Sequence, residues 1–82
     1  MSLGMITPAQ CRMARAALRW EMQTLSETAG VFRDTLLRFE GEQGGADRAT
    51  LAVIRHEFEE AGVEFVDGHK PGVLFAPPGE VP

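Results

Sequence analysis

The side chains here that could do chemistry are few and scattered. His56 and His69 are the two histidines and Cys11 is the one cysteine. None stands at ligand spacing from another or from an acidic cluster, so no metal site is expected. Cys11 has no partner for an intramolecular disulfide and falls on a helical face, which suits a small buried hydrophobe better than a reactive thiol. Glu57, Glu59 and Glu60 gather three carboxylates, but on a helix they point to its outer faces with nothing to raise a pKa. They read as a solvated face. The glycines of residues 41–46 lack the strand, lysine and hydroxyl residue of a phosphate cradle, so that stretch reads as a flexible loop. With no nucleophile beside a base, the chain is not expected to be an enzyme, and no cofactor is implied.

What remains is arginine. The net charge of −4 is the wrong sign for holding a polyanion through the overall field, yet it is unevenly spread. Through Arg48, six arginines (Arg12, Arg15, Arg19, Arg33, Arg38, Arg48) balance six acids. From Ala49 onward two basic residues face six acids, so the second part carries the whole deficit.

The elements that position these groups follow from capping and periodicity. Thr7 as N-cap, Pro8 at the first helical position and Gln10 completing a capping box start a helix, and Cys11, Ala14, Ala17 and Leu18 continue its apolar stripe to about Arg19. Trp20 closes the joint to a second helix over about 21–29, and a third runs over about 32–40. Between them Gly30 sits where the chain must turn left-handed. Ser26 and Ala29 are small where two helices cross at a wide angle, while Leu25, Val31, Leu36 and Phe39 are the positions that bury the pair. Residues 25–40 thus have the outline of a helix-turn-helix. Asp47 caps a fourth helix with the stripe Leu51, Ile54, Phe58 and Ala61. Gly62 stops it, and Val63 is placed to pack back on Phe58.

Residues 63–66 and 73–76 are β-branched and aromatic runs around a turn-rich 67–72, which predicts a β-hairpin. Alternation places Val63, Phe65, Val73 and Phe75 on one face, and Val66 and Leu74 on the other. A hairpin apolar on both faces wants a second covering surface, which hints at dimerisation; chance scatter of apolar residues on an exposed face is the competing explanation. At 82 residues, with 44% apolar and 24% charged residues, the chain suits one small globular domain rather than two or a disordered segment. No stretch approaches a membrane span or a secretory signal, so a cytoplasmic location is expected. Residues 1–4 read as an expression remnant, 5–62 as the helical domain, 63–76 as the hairpin, and 77–82 as a disordered tail.

The combination Met5-Ile6-Thr7-Pro8, Ala14-Arg15, Trp20, Leu25, Ala29-Gly30-Val31, Phe39-Glu40, Leu51, Ile54 and Ala61-Gly62-Val63 resembles the lambda-repressor-like, XRE-type helix-turn-helix family. It is most similar to short bacterial regulators that append a strand pair after the last helix, and the likeness covers about residues 5–75. The fold it implies is mainly α, a four-helix lambda-repressor-like domain followed by a C-terminal β-hairpin. The function it implies is a DNA-binding transcriptional regulator whose third helix enters the major groove. Arg33, Asp34 and Arg38 then take base-facing slots with Thr35 nearby. An arginine there can fork onto guanine O6 and N7, and Asp34 can accept from a cytosine amino group. Arg48 becomes a phosphate contact. Arg15 and Glu40 match positions that form a structural ion pair between the first and third helices.

Two readings stand at this point. One is a homodimer on double-stranded operator DNA, paired through the hairpin. The other is a degenerate helix-turn-helix that binds a protein partner and has weak or no DNA binding. The second is motivated by Glu21 and Met22, where the resemblance leads one to expect a hydroxyl residue and glutamine, by Phe32, where it leads one to expect a small capping hydroxyl, and by the acidic second part. An uninterrupted positive surface around Arg33, Arg38 and Arg48 would favour the first. Interruption by Glu21, Asp34 and Glu42 would favour the second.

Overall fold

Thr7 opens the first helix by a reciprocal pair of bonds. Its Oγ1 accepts from the Gln10 backbone N–H at 3.0 Å, and the Gln10 side-chain oxygen accepts from the Thr7 N–H at 2.9 Å. With Pro8 supplying a preset φ, helix α1 (Pro8–Leu18) starts where capping chemistry places it, and it ends with Arg19 in the left-handed region at φ 58°. Helices α2 (Met22–Ala29), α3 (Arg33–Glu40) and α4 (Arg48–Glu60) follow, then strands β1 (Val63–Val66) and β2 (Gly72–Phe75). This computed structural model describes residues 5–76; the remnant expected at 1–4 and the tail expected at 77–82 lie outside the described residues. The chain is therefore mainly α, four helices followed by a C-terminal antiparallel hairpin. Among the described residues no helix is long and apolar enough to cross a membrane.

Each helix contributes one stripe to a shared interior. Cys11 and Ala14 come from α1, Leu25 from α2, Leu36 and Phe39 from α3, and Leu51, Ile54 and Phe58 from α4. The 3.6-residue period turns these positions inward together, and the hydrophobic effect holds them there. Val31, Leu18 and Trp20 are only partly buried and pack around this centre. Trp20 does sit at the joint of α1 and α2. Its ring stacks on Phe58 with centroids 5.7 Å apart, and Phe58 in turn meets Phe65 of β1 at 6.0 Å.

The hairpin pairs Val63 with Phe75, Glu64 with Leu74, Phe65 with Val73, and Val66 with Gly72. Its inner face, Val63, Phe65, Val73 and Phe75, packs on the helices, while Val66 and Leu74 stay exposed, as alternation requires. Gly62 has a second function that sequence did not suggest. It adopts φ 106°, and a Cβ there would lie 2.5 Å from the Ala76 carbonyl oxygen, so the return of the chain after β2 runs directly over it. The helix-ending Gly62 N–H bonds to the Glu59 carbonyl at 3.1 Å, and Val63 continues straight into β1.

The polar interior centres on Glu40. Arg15 grips it with two bonds, Nε to Oε2 at 2.6 Å and Nη2 to Oε1 at 2.7 Å, while Arg15 Nη1 also donates to the Trp20 carbonyl at 3.1 Å. The ion pair expected between the first and third helices is thus present. Arg12 Nη1 donates to the Glu40 backbone carbonyl, and the Cys11 thiol donates to Glu40 Oε2 at 3.3 Å. Among the described residues no buried side-chain nitrogen or oxygen lacks a partner.

Candidate nucleic-acid interface

The turn between α2 and α3 is built by a few backbone and side-chain bonds. Gly30 takes φ 67°, and the N–H groups of Gly30 and Val31 both bond to the Ser26 carbonyl, at 2.9 and 3.2 Å. The Ser26 hydroxyl then donates to the Val31 carbonyl at 2.6 Å. Ser26 is therefore more than a small residue at a crossing: it ties the last turn of α2 to the residue after the glycine, fixing the angle at which α3 departs.

Helix α3 buries Leu36, Phe39 and Glu40 and turns its other side outward. Arg33, Asp34 and Arg38 are exposed on that side, while Thr35 is half-buried beside the turn. Asp34 and Arg38 stand one turn apart and pair with each other, Oδ2 to Nε at 3.3 Å, with both side chains largely in solvent. Such an exposed pair contributes only about 0.3–0.5 kcal/mol, so either member is readily drawn away by another partner. Arg33 and Arg48 are exposed and form no ion pair among the described residues. Asp34 therefore breaks the positive run between Arg33 and Arg38. Glu42 is drawn instead toward Arg12, at 3.8 Å.

Glu21, Met22 and Phe32 take three different environments. Glu21 occupies the N-cap of α2 in extended backbone, exposed, and its side chain makes no capping bond. Met22 is half-buried and packs on the core, so the position is given to the interior. Phe32 is the N-cap of α3 rather than its first residue, makes no capping bond, and is 84% exposed. At the N-termini of α2 and α3 neither cap side chain makes the bond that ordinarily satisfies the first N–H groups.

By contrast Asp47 caps α4 fully. Its Oδ1 accepts from the Thr50 N–H at 2.8 Å, and that bond holds the Asp47 carboxyl below its usual range. The ends of α3 and α4 meet across an open groove of about 530 Å³, walled by Gly30, Val31, Phe32 and Thr35 on one side and by Gly45, Ala46, Asp47 and Thr50 on the other. The 41–46 stretch is a loop. Glu42, Gly44 and Gly45 take positive φ, and Gly45 passes near the Arg38 stem, where an added Cβ would stand 3.6 Å from Arg38 Cδ. That Thr35 and the start of α4 line one groove was not visible in sequence; the Gly44-Gly45 doublet was its only local sign.

No group of three or more histidine, cysteine, aspartate or glutamate side chains that could hold a metal ion occurs among the described residues. No protein-family model matches the chain, and no curated protein sequence is similar to it.

Proposed function

We propose that the chain is a DNA-binding transcriptional regulator of the lambda-repressor-like, XRE-type kind, a homodimer that lays α3 in the major groove. The observation that carries this reading is the outer side of α3. Arg33 stands exposed at its start with no ion pair among the described residues, and Arg38 follows five residues on, on a helix whose buried positions Leu36, Phe39 and Glu40 lock it into the core. A rigidly held helix with a free guanidinium near its N-terminus suits bidentate reading of guanine, and Arg48 at the neighbouring helix start suits a phosphate. The exposed hairpin face, Val66 and Leu74, supplies a surface on which two copies could pair. Two third helices would then reach half-sites about 34 Å apart.

Fluorescence anisotropy at low salt, with duplex DNA from the region upstream of the protein's own reading frame, tests the proposal. Binding that weakens on adding salt and on replacing Arg33 with alanine is the expected result. No binding at tens of micromolar, weaker than ordinary non-specific affinity, overturns it.

A second reading is favoured by the Asp34–Arg38 pair and by Glu21 at the start of α2: a helix-turn-helix that has exchanged DNA for a protein partner. Carboxylates at these two places oppose an incoming phosphate. Co-purification from the native cell with identification of what is bound tests it, and recovery of the protein alone counts against it.

A further inference from the structure

The hairpin has two edges, and its hydrogen bonds fix which backbone groups point off each of them. In an antiparallel ladder, pairs that exchange both backbone bonds alternate with pairs whose N–H and C=O groups turn outward. The Ala76 N–H bonds to the Gly62 carbonyl at 3.2 Å, and Gln10 Nε2 reaches both the Val66 and the Gly72 carbonyl, which therefore turn toward each other between the strands. With Val63 opposite Phe75 and Phe65 opposite Val73, these bonds set the phase. Val73 and Phe75 aim their N–H and C=O groups off the edge of β2, and Val63 and Phe65 aim theirs off the edge of β1. None of these outward groups meets a partner among the described residues. Side chains distinguish the two edges. On β1 the inward Val63 and Phe65 are 3% and 8% exposed, Glu64 faces solvent, and the Arg55 guanidinium lies over the Phe65 ring, 5.2 Å from its centroid. On β2 the inward Val73 and Phe75 are only half-buried and Leu74 is 57% exposed. Charged residues ordinarily keep an edge strand single, and β2 has none.

We propose that β2 pairs antiparallel with β2 of a second copy of the chain, across a twofold axis at Leu74, so that two hairpins make one four-stranded sheet. The inference rests on the homodimer of the proposed function and specifies how its copies meet. Self-pairing suits this strand because the register closes on itself. With Leu74 opposite the partner's Leu74, the N–H and C=O of Val73 meet those of the partner's Phe75, and no outward group of β2 is left over. Centring on Val73 instead sets the Phe75 carbonyl against Pro71, which has no N–H. Centring on Phe75 carries the Val73 groups past the end of the opposite strand. The register at Leu74 also makes that residue a non-hydrogen-bonded pair with its counterpart, the closer of the two kinds, and so covers the most exposed apolar side chain of the hairpin. On the inner face the half-buried Phe75 gains the partner's Val73 as a neighbour. The same closure at β1 sets Glu64 against its own copy, and like charges directly opposite destabilise a sheet.

Sedimentation of the full chain across a concentration series, with amide exchange followed residue by residue, tests the pairing. The expected result is a dimer in which the Val73 and Phe75 amides are protected and lose that protection on dilution to the monomer. Leu74→Lys is expected to stay monomeric with both amides exchanging freely, because two ammonium groups would face each other on the axis. Leu74 faces solvent in the single chain, so this variant keeps its fold, which circular dichroism checks. Leu74→Cys oxidised with diamide is expected to give a covalent dimer, since paired Cβ atoms there stand about 4.5–5.5 Å apart. Cys11 is buried and leaves the introduced thiol as the one that reacts. Val66→Cys is expected to give no covalent dimer, its counterpart lying roughly 14 Å away across three strand spacings. A dimer that persists in Leu74→Lys, leaves the Val73 and Phe75 amides unprotected, or links through Val66→Cys overturns the edge pairing and leaves the homodimer standing. A wild-type chain still monomeric at roughly hundreds of micromolar overturns both together and gives the edge to a strand of another protein. Duplex binding is scored separately by anisotropy, so its failure is not confused with either outcome.

Discussion

Glu40 is the residue on which most of the polar interior converges. It is 7% exposed and takes two bonds from Arg15 and one from the Cys11 thiol, while its backbone carbonyl takes one from Arg12. A carboxylate so far from water is tolerated because both its oxygens accept hydrogen bonds and the Arg15 guanidinium balances its charge. Its removal leaves the partly buried Arg15 guanidinium without its counter-ion, and Glu40→Ala is expected to cost about 3 kcal/mol, read from the shift of the denaturant midpoint. The same carboxylate shapes its neighbours. Its hydrogen bond holds Arg15 more firmly protonated, and burial first, then the charge of Glu40, pushes the Cys11 thiol well above its ordinary range. The folded chain therefore keeps the thiol proton after the unfolded chain has released it. Stability is expected to be undiminished by this group below about pH 9 and to decline as pH rises further, since only the unfolded state then gains by ionising. Denaturation curves collected across that range check the slope, and Cys11→Ala should flatten it.

At the scale of elements, the joints matter more than the helices. Gln10 does two things at once: it completes the capping box of α1, and its Nε2 donates to the carbonyls of Val66 at 2.8 Å and Gly72 at 3.1 Å. Those two carbonyls belong to the cross-strand pair beside the turn, so one buried amide ties the start of α1 to the turn end of the hairpin. Gln10→Glu keeps the acceptor for Thr7 and loses both donors. It is expected to cost about 2 kcal/mol, with faster amide exchange across β1 and β2 than in the helices. The two helix-ending glycines should differ in kind. Gly30 has φ 67° and open space around a Cβ, so Gly30→Ala meets only backbone strain, about 1–2 kcal/mol. Gly62→Ala meets both φ 106° and the Ala76 carbonyl at 2.5 Å, and is expected to destabilise more and to loosen the hairpin, as paired thermal melts and hairpin amide exchange will show. Capping boxes, helix periods and strand alternation are local patterns, and all of them were legible in the chain. The Gln10 amide bonds were not, because their partners lie more than fifty residues away.

For the whole molecule the decisive quantity is where charge remains uncompensated. The net charge is −4, yet among the described residues Arg33 and Arg48 form no ion pair at the starts of their helices, and Arg38 pairs with exposed Asp34. Removing that acid tests how the surface meets a polyanion. Asp34→Asn is expected to raise affinity for non-specific duplex several-fold at low salt, while lowering the preference for any sequence in which Asp34 accepts from a cytosine, both readable by anisotropy titration. By itself the sequence determined the mainly α architecture, the glycine turn between α2 and α3, the hairpin faces and the residues that α3 turns to solvent. These depend on the order of side chains along one helix or strand, where period and capping act over a few residues. Tertiary structure alone decided that Phe32 stays exposed while Met22 turns inward. It alone joined the ends of α3 and α4 around one groove. Each of those outcomes is a competition between solvent and neighbours brought together by the packing of distant segments, and it is resolved only when the core has fixed their distances.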